Sequence, residues 1–297
     1  MEKTGRTNAL LKWSRRIRWS LMLAVLAYLG VCAYMWATQR QHIFEPTQAL
    51  QTTPDRLGMK FEELTIPSGS IQERGELYAW WIPAGLADAP TMLYLHGNDK
   101  NVGYARDIDR AARLHGMGYN VLTFDYRGFG KSTDGPPSEA KVYEDAESAW
   151  GYLTRQRTID PRRIFIYGHS LGGAVAIDLA THHPEAAGVI TESTFTSMTD
   201  VAKLEYPLLP VDLLINQRFD SLHKVGSLRI PFLLIHGTWD KLVPYQMSQR
   251  LYERAPQPKF LKLVEGGEHG NSGVIAPVEF NGIIHEFTQH YSDSTPH

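Results

Sequence analysis

The sequence predicts an α/β domain: a mostly parallel, eight-stranded sheet with helices on both faces and a small helical cap, preceded by one N-terminal transmembrane helix. Three observations carry this. Eight short apolar, β-branched runs occur, and after the second they alternate with amphipathic stretches of helical period, the pattern of a sheet covered on both faces. One of these runs ends in Gly168-His169-Ser170-Leu171-Gly172 and passes directly into a small-residue helix. Residues 19–38 form an uncharged, apolar stretch behind a basic head.

Residues 1–18 carry Lys3, Arg6, Lys12, Arg15, Arg16 and Arg18 against one acid, Glu2. The uncharged stretch 19–38 is about 30 Å long as a helix, the thickness of a bilayer core. Trp19, Tyr34 and Trp36 suit its interfaces. Basic flanks stay cytoplasmic, so the chain beyond Arg40 is expected on the extracytoplasmic side, periplasmic or lumenal. Two other treatments fit the same residues. A signal peptide cut near Val31-Cys32-Ala33 would release the domain as a secreted protein, and Leu29-Gly30-Val31-Cys32 resembles a lipoprotein box. Cys32 is the only cysteine, so the domain beyond it has no disulfide, no thiol nucleophile and no cysteine-based zinc site.

Residues 39–60 read as a polar linker and 61–297 as the folded domain, with 193–228 the cap. With 43% hydrophobic and 21% charged residues, the 297-residue chain has an ordinary globular balance, and a net charge of −2 argues against nucleic acid as a partner. Residues 61–66 and 76–82 flank the turn-rich Pro67-Ser68-Gly69-Ser70 and suit an antiparallel hairpin. Trp80 and Trp81 then point to opposite faces, one into the core and the other toward the site or a neighbour. Strands follow at 91–95, 120–124, 164–167, 188–191, 231–235 and 260–264. Helices are expected at 102–114, 139–153 (capped by Ser138), from the elbow to about residue 182, at 244–254 and at 276–290. The stretch 193–228 breaks the alternation with Pro207, Pro210 and the apolar Leu208-Leu209 and Leu213-Leu214-Ile215; it reads as a cap over the site and the place of substrate selection.

Strand, sharp turn and helix around Gly-x-Ser-x-Gly make a nucleophile elbow. Gly168 and Gly172 lack the Cβ atoms that would collide where strand and helix cross, and the new helix aims free N–H groups at the place an oxyanion would form. A serine hydroxyl needs a base, and the base needs an acid that fixes its tautomer. Each should follow a strand, in the order serine, acid, histidine. Asp240, in His236-Gly237-Thr238-Trp239-Asp240, follows strand 231–235, and His269, in Gly266-Gly267-Glu268-His269-Gly270, follows the last strand. Ser170, Asp240 and His269 are the candidate triad. Two preorganised N–H donors are needed for the oxyanion; the backbone N–H groups of Leu171 and of Asn98, in Leu95-His96-Gly97-Asn98, are the candidates. His96 is expected to support that loop, and Asp125 with Arg127 to form a buried ion pair or turn network. His182-His183 and His285 with His290 lack metal-site spacing, and no phosphate or dinucleotide fingerprint occurs, so no metal or cofactor is expected.

Leu95-His96-Gly97-Asn98, Asp125-Tyr126-Arg127-Gly128, Gly168-His169-Ser170-Leu171-Gly172-Gly173, His236-Gly237 with Asp240 and Val243-Pro244, and His269 together resemble the α/β-hydrolase superfamily. Within it the chain is most similar to the membrane-anchored bud-emergence-type hydrolases and their bacterial relatives. The resemblance runs from about Phe61 to Tyr291. It implies esterase, thioesterase or lysophospholipase chemistry, with peptidase relatives nearby. Where such relatives often place Asn directly after the histidine, this chain has Gly270 and then Asn271. The expectation is therefore a membrane-anchored serine hydrolase acting on small or lipid-like acyl esters through an acyl-enzyme. A serine peptidase on the same fold and a catalytically inactive tethered binding protein are the alternatives. The oligomeric state is left open.

Overall fold

The computed structural model describes residues 3–70 and 73–292, without the side chains of 3–12 and Ser14. Lys3, Arg6 and Lys12 of the basic segment, and residues 293–297 of the domain, thus lie outside the described side chains or residues.

The first helix, α1 (Lys3–Ile43), contains the apolar stretch. Its portion Arg15–Ile43 is long and apolar enough to cross a membrane, with a mean hydropathy of 1.8 over its most apolar window. The helix does not stop at Thr38. No glycine or proline interrupts 39–43, and this extension buries Gln39 and Ile43 against the domain. Ten strands and nine further helices follow among the described residues. A two-residue strand β1 (Glu45–Pro46) leads to the hairpin β2 (Glu62–Ser68) and β3 (Gly75–Ile82). Then come β4 (Thr91–Leu95), β5 (Asp99–Lys100), α2 (Ala105–Gly116), β6 (Asn120–Phe124), α3 (Glu139–Gly151), β7 (Ile164–His169) and α4 (Leu171–His182). After β8 (Gly188–Glu192), three short helices, α5 (Met198–Glu205), α6 (Val211–Leu214) and α7 (Ser221–Lys224), occupy the stretch read as a cap. The chain closes with β9 (Phe232–Gly237), α8 (Gln246–Arg254), β10 (Lys259–Val264), α9 (Ser272–Ile275) and α10 (Pro277–Ser292).

Eight strands form one sheet in the order β10-β9-β8-β7-β4-β6-β3-β2, with β4 and β7 at its centre. Only the pairings of β3 with β2 and with β6 are antiparallel. The inner strands β4, β7, β8 and β9 are buried on both faces and mostly apolar, and they split the core in two by their period-two alternation. Leu93 and Leu95 join α3, α4 and α8 in one cluster; Met92 and Tyr94 join α2 and α10 in the other. Trp80 and Trp81 do point to opposite faces. Both are buried, Trp80 in the second cluster and Trp81 in the first, so neither faces the site.

Residues 44–60 do not hang free as a linker. Phe44, Pro54 and Met59 are buried, and the Phe44 ring meets Phe129 and Phe219 edge-on. Strand β1 pairs with β5 in parallel, which laces this segment to the loop after β4. The cap is tied down from below: the Glu139 carboxylate, at the start of α3, accepts from the N–H groups of Arg218 and Phe219 at 2.6 and 2.8 Å.

Candidate active site

Three loops converge at the C-terminal ends of the parallel strands. Ser170 makes the reversal from β7 into α4 with φ 53° and ψ −119°. A non-glycine residue in that region carries about 1–3 kcal/mol of strain and needs its surroundings to hold it. The Ser170 N–H donates to the Glu192 carbonyl and the Thr194 hydroxyl donates to the Ser170 carbonyl, both at 2.9 Å. A Cβ on Gly168 would collide with the Gly172 backbone, and one on Gly172 with the carbonyls of Leu95 and His96. Strand and helix can therefore cross this closely only with hydrogen at both positions.

Asp240 lies in the loop after β9. Its Oδ1 accepts from the N–H groups of Leu242 and Val243 at 3.0 and 2.8 Å. Its Oδ2 accepts from His269 Nδ1 at 2.7 Å. A carboxylate only accepts, so the ring hydrogen sits on Nδ1 and leaves Nε2 free to accept from Ser170 Oγ, 3.1 Å away. Burial works to raise the Asp240 carboxyl, but hydrogen bonds from His236 and His269 outweigh it and hold the group below the ordinary carboxylate range. Ser170, Asp240 and His269 thus form one hydrogen-bonded array.

The register of β4 against β7 pairs Leu95 with Gly168, which brings the loop at 96–98 beside the elbow. Asn98 and Leu171 line the same cavity as Ser170 and His269. Leu171 opens α4, so its N–H has no acceptor within the helix. Asn98 is fixed from behind: its side-chain amide donates to the Ile43 carbonyl at 2.7 Å, and its carbonyl accepts from the Glu45 N–H at 2.9 Å.

The other polar candidates support loops. His96 is buried, which pushes it down to about 4, and its Nδ1–H donates to the Gly97 carbonyl at 2.8 Å. Burial pushes Asp125 up to about 7; it accepts from the Val102 N–H at 2.8 Å. Arg127 pairs with Asp145 at 2.6 Å and Glu144 at 2.7 Å, not with Asp125. Neither Asp125 nor Arg127 lines the cavity.

Three parts of the site were not legible in the sequence. His236, at the end of β9, donates from Nε2 to the Val243 carbonyl at 2.8 Å, lies 3.1 Å from Asp240 Oδ2 and has Ser248 Oγ 2.6 Å from its other nitrogen. Arg110, buried on α2, donates to Glu192 at 2.9 Å and to the carbonyl of Gly270 at 2.6 Å. Gly270 has φ +77°, and a Cβ there would meet both Arg110 and the ring of His169. Burial, and then the Arg110 charge, push His169 well below the ordinary histidine range; its ring lies tilted against His269 at 5.2 Å. The third part is the contribution of the end of α1 to the cavity wall, beside the cap. The cavity over Ser170 has a volume of about 470 Å³, and Met198 and Val201 of the cap face it together with His42 and Ile43 from the end of α1. Among the described residues, no group of three or more His, Cys, Asp or Glu is arranged to hold a metal ion.

Comparison with known proteins gives three results. A family model described as serine aminopeptidase, S33, matches residues 89–222 and 214–271. The chain is 33% identical over 264 residues to an uncharacterised protein of Mycobacterium tuberculosis, covering 88% of this chain and 92% of that one. It is 35% identical over 217 residues to the lysophosphatidylserine lipase ABHD12 of Danio rerio, covering 66% of this chain and 56% of that one. Among solved structures, an esterase of Pyrococcus furiosus superposes with a TM-score of 0.71 at 23% identity, covering 84% of this chain and 98% of that chain. An α/β hydrolase of Vibrio vulnificus gives 0.67 at 20% identity, covering 88% and 93%.

Proposed function

This chain belongs to the α/β-hydrolase family whose model is described as serine aminopeptidase, S33, and from that membership we propose that it is a membrane-anchored serine hydrolase cleaving carboxylic ester or thioester bonds. One observation carries the reading. Ser170 Oγ, strained at the elbow, lies 3.1 Å from the Nε2 of a histidine whose other nitrogen is held 2.7 Å from Asp240, at the wall of a cavity. In this reading Ser170 Oγ attacks the acyl carbon while His269 Nε2 takes its proton. Asp240 keeps the ring in the competent tautomer and stabilises its charged form. The N–H groups of Leu171 and Asn98 bind the oxyanion. His269 then returns the proton to the leaving oxygen or sulfur, and water, activated by the same ring, releases the acyl group. The span at 19–38 anchors the domain, with the basic N-terminus cytoplasmic and the site extracytoplasmic. The similarity to a lysophosphatidylserine lipase, and the apolar cap, favour a lipid-like acyl ester as substrate.

The test is hydrolysis of p-nitrophenyl esters of increasing acyl length by the full chain beside Ser170→Ala. Loss of one member of such an array costs on the order of 10⁴ to 10⁶ in turnover. Equal rates in both proteins would refute the assignment of Ser170.

A second reading, a serine peptidase, has its own support. The family model names an aminopeptidase, and Glu45, Asp99 and Glu205 line the cavity, carboxylates able to take up a free amino terminus. Turnover of aminoacyl p-nitroanilides in preference to esters would favour it.

A further inference from the structure

We propose that the groove between the end of α1 and the cap is an acyl-chain subsite, through which an ester embedded in the bilayer extends its chain toward Ser170. The proposal rests on the serine-hydrolase reading above and on α1 as a membrane span, and it adds the route and the binding surface.

The groove adjoins the cavity over Ser170. His42, Ile43, Ala202 and Tyr206 line both. Beyond them the groove runs along Met35 of α1, with Leu209 and Leu214 of the cap opposite, and its walls present apolar atoms. Its outer end meets α1 within the apolar stretch, not past it. The Tyr28 hydroxyl donates to the Leu208 carbonyl at 2.9 Å, and Gln39 donates to the Leu214 carbonyl at 3.2 Å while accepting from the Asn216 N–H at 2.8 Å. Around these contacts the cap turns apolar side chains outward: Leu208 is 86% exposed and Leu213 83%. Exposed leucines beside a membrane helix are costly in water and favourable in lipid.

The chemistry of the walls selects the occupant. A peptide in this groove would bury N–H and C=O groups against carbon, at a cost of about 1–3 kcal/mol per unpaired group. A hydrocarbon chain has no such groups, and the span beside the groove brings the enzyme to a phase made of such chains. The polar end of the ester then lies over Ser170 and His269, where the cavity is wide. The anchor helix is thereby part of the binding site as well as a tether.

The test uses the full chain in phosphatidylcholine vesicles, with p-nitrophenyl butyrate and p-nitrophenyl palmitate as probes and Met35→Trp and Leu214→Trp as variants. Both positions line the outer groove. Expected is a fall of at least about tenfold in the palmitate-to-butyrate ratio of kcat/KM, the equivalent of roughly two methylenes displaced from apolar contact. A ratio within about twofold of the parent in a folded variant overturns the proposal; Met35, on a half-buried helix face, keeps the test decisive if Leu214→Trp does not fold. If the parent hydrolyses neither ester and Ser170 is not labelled by a fluorophosphonate, the serine-hydrolase reading fails, and the route with it. If butyrate is cleaved normally and the ratio ignores both indoles, only the route fails.

Discussion

His269 owes its position to groups outside the array. The Gly270 carbonyl, one peptide beyond it, accepts from Arg110, which is itself held by Glu192, while Tyr167 donates to the same carboxylate at 2.7 Å. Arg110→Lys retains a charge against Glu192 but lacks the planar fork that reaches both acceptors. A displacement near 1 Å at a reacting group can cost about 10² in rate, so kcat should fall by about that factor with KM nearly unchanged. A thermal melt shows whether the fold survives, and an unchanged kcat would make Arg110 merely structural. At this scale Ser170, Asp240 and His269 were legible because each follows a strand in a turn with its own sequence signature. Arg110 was not, because a charged residue on an amphipathic helix looks the same whether it meets solvent or a buried glutamate. The displaced asparagine, Asn271, found its explanation too: with Gly270 at φ +77°, the loop turns before Asn271, whose Oδ1 accepts from the Glu268 N–H at 2.7 Å.

Among the elements, the β7–α4 crossing tolerates little change. The atoms that a Cβ on Gly172 would strike are backbone carbonyls of the neighbouring β4 loop, which cannot rotate away. Gly172→Ala should therefore cost about 3 kcal/mol or more, near the top of the range for overpacking, or roughly 6–12 °C in Tm for a domain of this size. A melt within a degree or two of the parent would show that β4 and α4 can part. The eight strands of the main sheet were readable to within a residue or two because most are apolar runs with glycine, proline or polar residues at their ends, whereas the two-residue strands β1 and β5 were not. Helix ends were less so. The third helix passes at Tyr152–Gln156 into a wider π turn, and a short helix not expected, α9, precedes the closing helix α10, whose bounds agree with the expected 276–290 to within two residues. Both depend on local hydrogen bonding that no periodicity records.

For the molecule as a whole, the sheet, its two apolar clusters and the presence of a cap followed from pattern alone. The packing of residues 39–60 did not. Their apolar residues are isolated among polar ones, and only the folded domain gives them something to bury against: Phe129, Phe219 and the loop at 97–100 for the first part, the cluster around Trp80 for Met59. That packing sets one wall of the cavity from the end of α1, and, with α1 as the membrane span proposed above, it has a kinetic consequence. An enzyme whose entrance opens beside its own span samples substrate in two dimensions. Its velocity on a long-chain ester should follow the mole fraction of that ester in the membrane, not its amount per volume of solution. Adding excess inert phosphatidylcholine at constant total palmitate ester should slow palmitate hydrolysis in proportion to dilution at the surface and leave butyrate hydrolysis untouched. Insensitivity of both rates would mean that substrates reach Ser170 through water, and that lipid composition has no hold on turnover.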